Sequence, residues 1–374
     1  MEKSGRLISL DVLRGLAVVG MILVNTMTQM HRREHADVFQ TLMHTPWDGL
    51  AFADVVFPAF LMMVGVSIPL ALRDARLDRE LTQRILARGA RLVILGLILG
   101  NYRQFQQLIP DIRLFGVLQR IGLVYVACAL LFLTCTPKIR LGAIVGILLL
   151  YWPLTLLPSL DGLATDLLKP GHNFPASVDR FLSGPDGILP YTRNYVRGPE
   201  GYDEDGLLGT LPAIALGLIG VAIGELLRSR REASRARTLT ALGAAMLAVG
   251  WVWSLVFPVI MGLWTSSYVL VTAGITTLAL AGLHAWLDRP LHNSPLSRLF
   301  ATFFVAFGIN AIAAYTLHII MRGMFDWRLL LAPFHATRDV IGDPLAAFLP
   351  ILIFTAFLWL ICEYLRRRNW IIRI

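Results

Sequence analysis

Apolar runs of about 20 residues recur along the whole chain, separated by stretches that hold most of the Arg, Lys, Asp and Pro. As an α-helix, each run is long enough to cross a hydrocarbon core of about 30 Å. Ten spans are predicted, near residues 7–29, 50–72, 91–109, 112–135, 139–158, 206–227, 238–258, 266–287, 299–321 and 341–365. The expected fold class is therefore all-α, a polytopic transmembrane helical bundle forming one domain over residues 1–374. A membrane β-barrel would show short alternating strands instead.

The polar stretches alternate in character. Arg73, Arg76, Arg79, Arg84 and Arg88 follow the second run, and Lys138 and Arg140 follow the fourth. Arg228, Arg230, Arg231, Arg235 and Arg237 follow the sixth, Arg289 and Arg298 the eighth, and Arg366, Arg367 and Arg368 the tenth. The positive-inside rule assigns all of these, with both termini, to the cytoplasm. The opposite face then holds segment 30–49 and the longest loop, about 159–205, which carries Asp161, Asp166, Asp179, Asp186, Asp203, Glu204 and Asp205. A loop of that length in a compact protein is usually functional.

Composition agrees: of 374 residues 56% are hydrophobic and 16% charged, more apolar surface than a soluble domain of this size could bury. The net charge of +9 sits in the short loops, so it reads as topology with lipid as partner, not as a nucleic-acid surface. Lys3 and Arg6 give the first run the basic start of a signal peptide. Asp11 and Arg14 interrupt it, however, and no small-residue cleavage site follows, so a retained helix is expected. Cys128, Cys135 and Cys362 lie in or beside apolar runs and read as packing residues, with no metal site and no disulfide framework.

Ionisable groups inside spans are the candidates for function, because they are costly unless paired or facing water. Asp11 and Arg14, three apart in the first span, share a face, and Asn25 lies about three turns further along nearly the same face. These residues are either interhelical hydrogen-bond glue or one wall of a polar seam. The second span opens with His44, Trp47 and Asp48 and carries Asp54 one turn inside, for which Arg14, Arg113 and Arg120 are the expected partners. Arg113, Gln119 and Arg120 put the fourth span in the bundle interior. Asp205 can cap the sixth, where Gly206, Gly209 and Pro212 permit close backbone approach. Two classes follow: a transporter of an amino sugar or other small solute, or an enzyme whose two substrates arrive from opposite sides. No inverted repeat is evident, which disfavours the transporter.

Six segments, "RLISLDVLRGLAVVGMILVN", "HTPWDGLAFADVVFPAFLMMVGVSI", "RLFGVLQRIGLVY", "YDEDGLLGTLPAI", "LWTSSYVL" and "FGINAIAAY", spread in order from Arg6 to Tyr315. Together they resemble the transmembrane acyltransferases of the heparan-α-glucosaminide N-acetyltransferase family. The resemblance implies transfer of acetyl from cytosolic acetyl-CoA to the amino group of a glucosamine-type sugar across the membrane. It assigns His44, of the His-x-x-Trp-x-Gly motif, as the catalytic residue with Asn25 beside it. Asp48 stands where the lysosomal member has Asn, and joins the catalytic set. Arg14, Asp54, Arg91, Arg113 and Arg120 are the residues expected to line or bind the acetyl-CoA. The long lumenal N-terminal region and extra first helix of the lysosomal member have no counterpart here, which suits a bacterial inner-membrane protein acting on a free or short amino sugar, with homodimerisation left open. His44 would act as base in direct transfer or carry the acetyl group itself.

Overall fold

The computed structural model describes residues 7–36, 38–102, 111–184, 187–229, 232–288, 294–324 and 327–372. Lys3, Arg6, Asp186, Arg230, Arg231, Arg289 and positions 103–109 of the third predicted span lie outside them. The chain is predominantly helical. Among the described residues eight helices are long and apolar enough to cross a bilayer. They begin with α1 (Ile8–Glu34) and α2 (Phe52–Ala71). A helix pair, Pro295–Ile309 and Ala311–Gly323, makes a ninth if it is one span, although it is bent by 77°. The protein is thus a multi-pass membrane protein.

Two predicted runs differ from the helices observed. Helix α3 (Arg79–Gly100) begins well before position 91, because the Asp78 side chain accepts the Leu81 amide at 2.7 Å and caps it. Arg79, Arg84 and Arg88 therefore lie on a helix, where the sequence pattern had suggested a loop. The apolar run 299–321 breaks at Asn310, whose side chain donates to the Trp370 carbonyl and accepts from the Ile372 amide. An amide side chain that bonds a distant segment leaves the local ladder free to turn.

Contacts divide the chain into two compact units, one of residues 1–45, 51–60 and 278–374, the other of residues 46–50 and 61–277. In the first, α1 packs on the helix Pro295–Ile309 through glycines: a Cβ at Gly15 would meet the Phe304 carbonyl, and one at Gly308 the Asp11 carbonyl. Small residues at such crossings let backbones approach, the main source of helix association where lipid is as apolar as Leu. Val18, Ile22, Phe307, Phe334, Phe354 and Leu358 share its core. The helix Trp327–Ile341, absent from the sequence expectation, joins that core through Trp327, Leu330, Leu331 and Phe334.

In the second unit, α3 packs against α4 (Val117–Thr134) where Gly89 and Gly122 face each other. Cys128 is buried there, its thiol donating to the Ile214 carbonyl, in keeping with a packing role. Segment 159–205 of this unit is ordered by a short helix, Phe174–Leu182, and by a two-residue parallel pairing of Ile112–Arg113 with Thr192–Arg193.

Candidate active site

The α2 N-terminus explains why a carboxylate is tolerated in an apolar helix. Asp54 is the third helical residue, and its Oδ2 accepts the Ala51 amide at 2.8 Å, the reciprocal half of a capping box. The same oxygen accepts the Thr45 hydroxyl at 3.0 Å and the Thr45 amide at 3.3 Å. Its partner Oδ1 lies 2.8 Å from Nδ1 of His44. Asp54 is fully buried, while the His44 side chain is 47% exposed. Among the described residues Nε2 of His44 has no hydrogen-bonding partner, so one ring nitrogen is anchored and the other is open to a reactant.

Arg14, Arg113 and Arg120 were the partners expected for Asp54, and His44 and Thr45 are ligands that the expectation did not name. Two of those arginines have carboxylates of their own. Arg113 grips Asp203 with Nε at 2.9 Å and Nη2 at 2.6 Å, and reaches Asp205 at 3.3 Å. Asn101 holds the Arg113 backbone from both sides, and the guanidinium stacks 4.5 Å from the Tyr195 ring. Arg120, only 1% exposed, lies 3.7 Å from Asp205, donates to the Gly206 carbonyl at 3.1 Å and covers the Trp264 ring at 4.6 Å. Gly206 and Gly209 sit where a Cβ would press on the Asp179 carboxylate and the Arg120 guanidinium. Burial pushes the Asp179 carboxyl up to about 8 and raises that of Asp205, against the pull of the Leu207 amide on the first and of Arg120 on the second.

The remaining sequence candidates are placed as follows. Asn25 is half-buried on α1, and Arg14 on the same helix donates to Asp11 at 3.2 Å. Arg91 is exposed on α3, with Nε donating to the Ala87 carbonyl. Asp48 is exposed, and its backbone forms an antiparallel bridge with Ile260. Trp47 is a core residue: Nε1 donates to the Leu167 carbonyl at 2.8 Å, and the ring meets Tyr202 edge-on at 5.2 Å. Gly49, at φ 114, supplies the backbone turn that follows. Sequence reading missed Thr45 as an Asp54 ligand and the exchange of partners among Arg113, Arg120, Asp203 and Asp205. Only the density of Asp in 203–205 hinted at the latter.

Fold and site define a class, a multi-pass membrane protein that presents an aspartate-anchored histidine at the start of an apolar helix. Residues 6–171 match the family model described as heparan-alpha-glucosaminide N-acetyltransferase, catalytic. Two curated relatives carry the same name. That of Mus musculus is 26% identical over 384 residues, covering 88% of this chain and 56% of the relative. That of Homo sapiens is 27% identical over 382 residues, covering 87% and 54%. The chain is thus similar to the heparan-α-glucosaminide N-acetyltransferases, as its motifs implied, and spans about half the length of the curated relatives it matches.

Proposed function

We propose that the chain is a transmembrane N-acetyltransferase. It takes the acetyl group of cytosolic acetyl-CoA and delivers it to the amino group of a glucosamine-type sugar on the periplasmic face of a bacterial inner membrane. The observation that carries this reading is the hydrogen bond between Asp54 Oδ1 and His44 Nδ1 beside an open Nε2. The relatives' names and the family match over a region that contains both residues support it.

Amide formation from a thioester needs a neutral amine. The amine nitrogen attacks the thioester carbonyl, the C–N bond forms, the C–S bond breaks, and the thiolate leaves. Nε2 of His44 accepts the proton that the nitrogen must lose and returns it to the thiolate. With Asp54 ionised, Nδ1 is the donor in the anchored pair, which fixes the tautomer with its lone pair on Nε2. Asn25 is assigned to orient the imidazole or donate to the developing oxyanion.

The donor set refines the acetyl-CoA assignment. Arg113 has its charge met by Asp203 and Asp205, which does not suit a phosphate ligand, and Arg120, although it keeps Nε and Nη1 without a hydrogen-bond partner among the described residues, is fully buried beside Asp205. Arg91 is exposed with donors to spare, so it is the arginine assigned to the CoA phosphates. The test is incubation of purified protein with labelled acetyl-CoA and a panel of amino sugars, read by mass spectrometry. An N-acetylated sugar is expected. Uptake of the sugar into vesicles without acetylation would contradict the reading and favour a transporter.

A further inference from the structure

Segment 159–205 presents an apolar surface to its surroundings. Leu160, Phe181 and Tyr191, 56%, 52% and 69% exposed, line one open cleft of about 740 Å³. Ile188 and Leu189, also exposed, are pinned beside it, their amides donating to the Phe181 carbonyl at 2.9 Å and the Leu182 carbonyl at 3.0 Å. Tyr191 holds a left-handed backbone at φ 62 while its carbonyl accepts the Ile112 amide at 2.8 Å, so the fold itself holds this ring outward. A contiguous apolar patch of this kind marks contact with a protein or with a membrane.

Depth favours the membrane. Three hydrogen bonds tether the segment to the mouths of three spanning helices. The Leu160 amide, five residues past the end of Pro137–Thr155, donates to Ser177 Oγ at 3.1 Å. Ile112, bonded to Tyr191, lies five residues before α4 begins at Val117. The Leu207 amide, three residues before the helix Thr210–Ser229, donates to Asp179 at 3.1 Å. Five residues of fully extended chain cover at most ~18 Å, and the headgroup region reaches about 5–8 Å beyond the hydrocarbon, so these tethers keep the segment close to the headgroups. The apolar rim also continues a lipid-facing row: exposed Leu149 and Leu150 on the spanning helix are followed by exposed Leu156, Leu157 and Leu160. Behind the rim the charges are paired, Arg180 with Asp161 and Arg197 with Asp111, which does not suit a strongly charged macromolecule. Tyrosine, with an apolar ring and a polar tip, is a residue the lipid–water interface favours.

We propose that the rim formed by Phe181, Ile188 and Tyr191 docks on the phospholipid surface, its side chains seated in the lipid–water interface of the leaflet that α4 enters. The inference concerns membrane contact outside the spanning helices and does not rest on acetyl transfer. The test uses the whole chain with Cys128, Cys135 and Cys362 replaced, and a nitroxide on a single new cysteine, Phe181→Cys, Ile188→Cys or Tyr191→Cys, each at an exposed position that the fold can spare. The protein is reconstituted in vesicles of phosphatidylcholine and phosphatidylglycerol. Collision of the label with oxygen, which concentrates in hydrocarbon, and with a water-soluble nickel chelate is measured by power saturation and calibrated with spin-labelled phospholipids. At two or more of the three positions oxygen collision should exceed nickel collision, at a depth matching the boundary between headgroups and acyl chains. Fewer than two such positions would overturn the proposal, whether the other labels collide mainly with nickel, as in water, or little with either, as under a second copy of the chain.

Discussion

At the scale of single residues, the proposed mechanism divides the two oxygens of Asp54 between folding and chemistry. Oδ2 accepts the Ala51 amide that caps the helix and two bonds from Thr45, while Oδ1 meets His44. Asp54→Asn keeps the shape but weakens the preference for a proton on Nδ1. Steady-state kinetics should show turnover down by roughly two to four orders of magnitude with little change in the KM for sugar. An unchanged turnover would remove the pair from the mechanism. Arg113 makes a different prediction, because Asp203 is buried and relies on it. Arg113→Ala should cost about 3–5 kcal/mol of stability by stranding that charge, visible as a lower thermal midpoint; loss of acetyl-CoA binding at an unaltered midpoint would restore Arg113 as a cofactor ligand. His44, Asn25 and Asp54 were each visible in the sequence as polar residues at membrane depth or in a recognisable motif. Their partners were not. His44 and Asp54 meet because the chain turns between them, and Arg113 meets Asp203 across 90 positions, a relation no local pattern encodes.

At the scale of elements, apolar length alone disclosed the spanning helices, since a run of about 20 apolar residues has few other fates. It failed where the deciding signal was polar. Asp78 starts α3 early, and Asn310 breaks a run whose hydropathy continues past it. The helix Trp327–Ile341 was overlooked because Arg328, Arg338 and Asp339 dilute its apolar content, although Trp327, Leu330, Leu331 and Phe334 follow the i, i+3, i+4, i+7 stripe of an amphipathic helix. Close helix crossing gives one prediction here. Gly308→Ala places a methyl against the Asp11 carbonyl and should cost about 1–3 kcal/mol, read as reduced thermal stability of the purified protein; a neutral result would mean that the crossing can spread without penalty. The short helix Phe174–Leu182 gives another. Asp179 is raised from 3.8 to about 8 by burial, so the folded state holds a proton that the unfolded chain has released. Its contribution to stability is fully present below about pH 4 and is lost as pH rises towards 8. The thermal midpoint of Asp179→Asn should therefore fall less between these pH values than that of the parent chain, and parallel curves would contradict the shift.

At the scale of the whole molecule, the positive-inside rule predicts from the distribution of Arg and Lys the orientation that the proposed reaction requires, with one substrate delivered from each side of the bilayer. In a background where Cys128, Cys135 and Cys362 are replaced, a cysteine at the exposed Lys169 should react with an impermeant thiol reagent added outside intact cells, and one at the exposed Arg76 should not. The reverse pattern would rule out transfer towards the periplasm. The proposed reaction depends on a histidine that takes a proton from the acceptor amine, and the decisive measurement is the turnover of His44→Ala. Measured with labelled acetyl-CoA and an amino sugar that the parent chain acetylates, its rate should fall by roughly two to four orders of magnitude while acetyl-CoA still binds. Near-normal turnover across the pH range would contradict the mechanism and move the search for the base to Asp48.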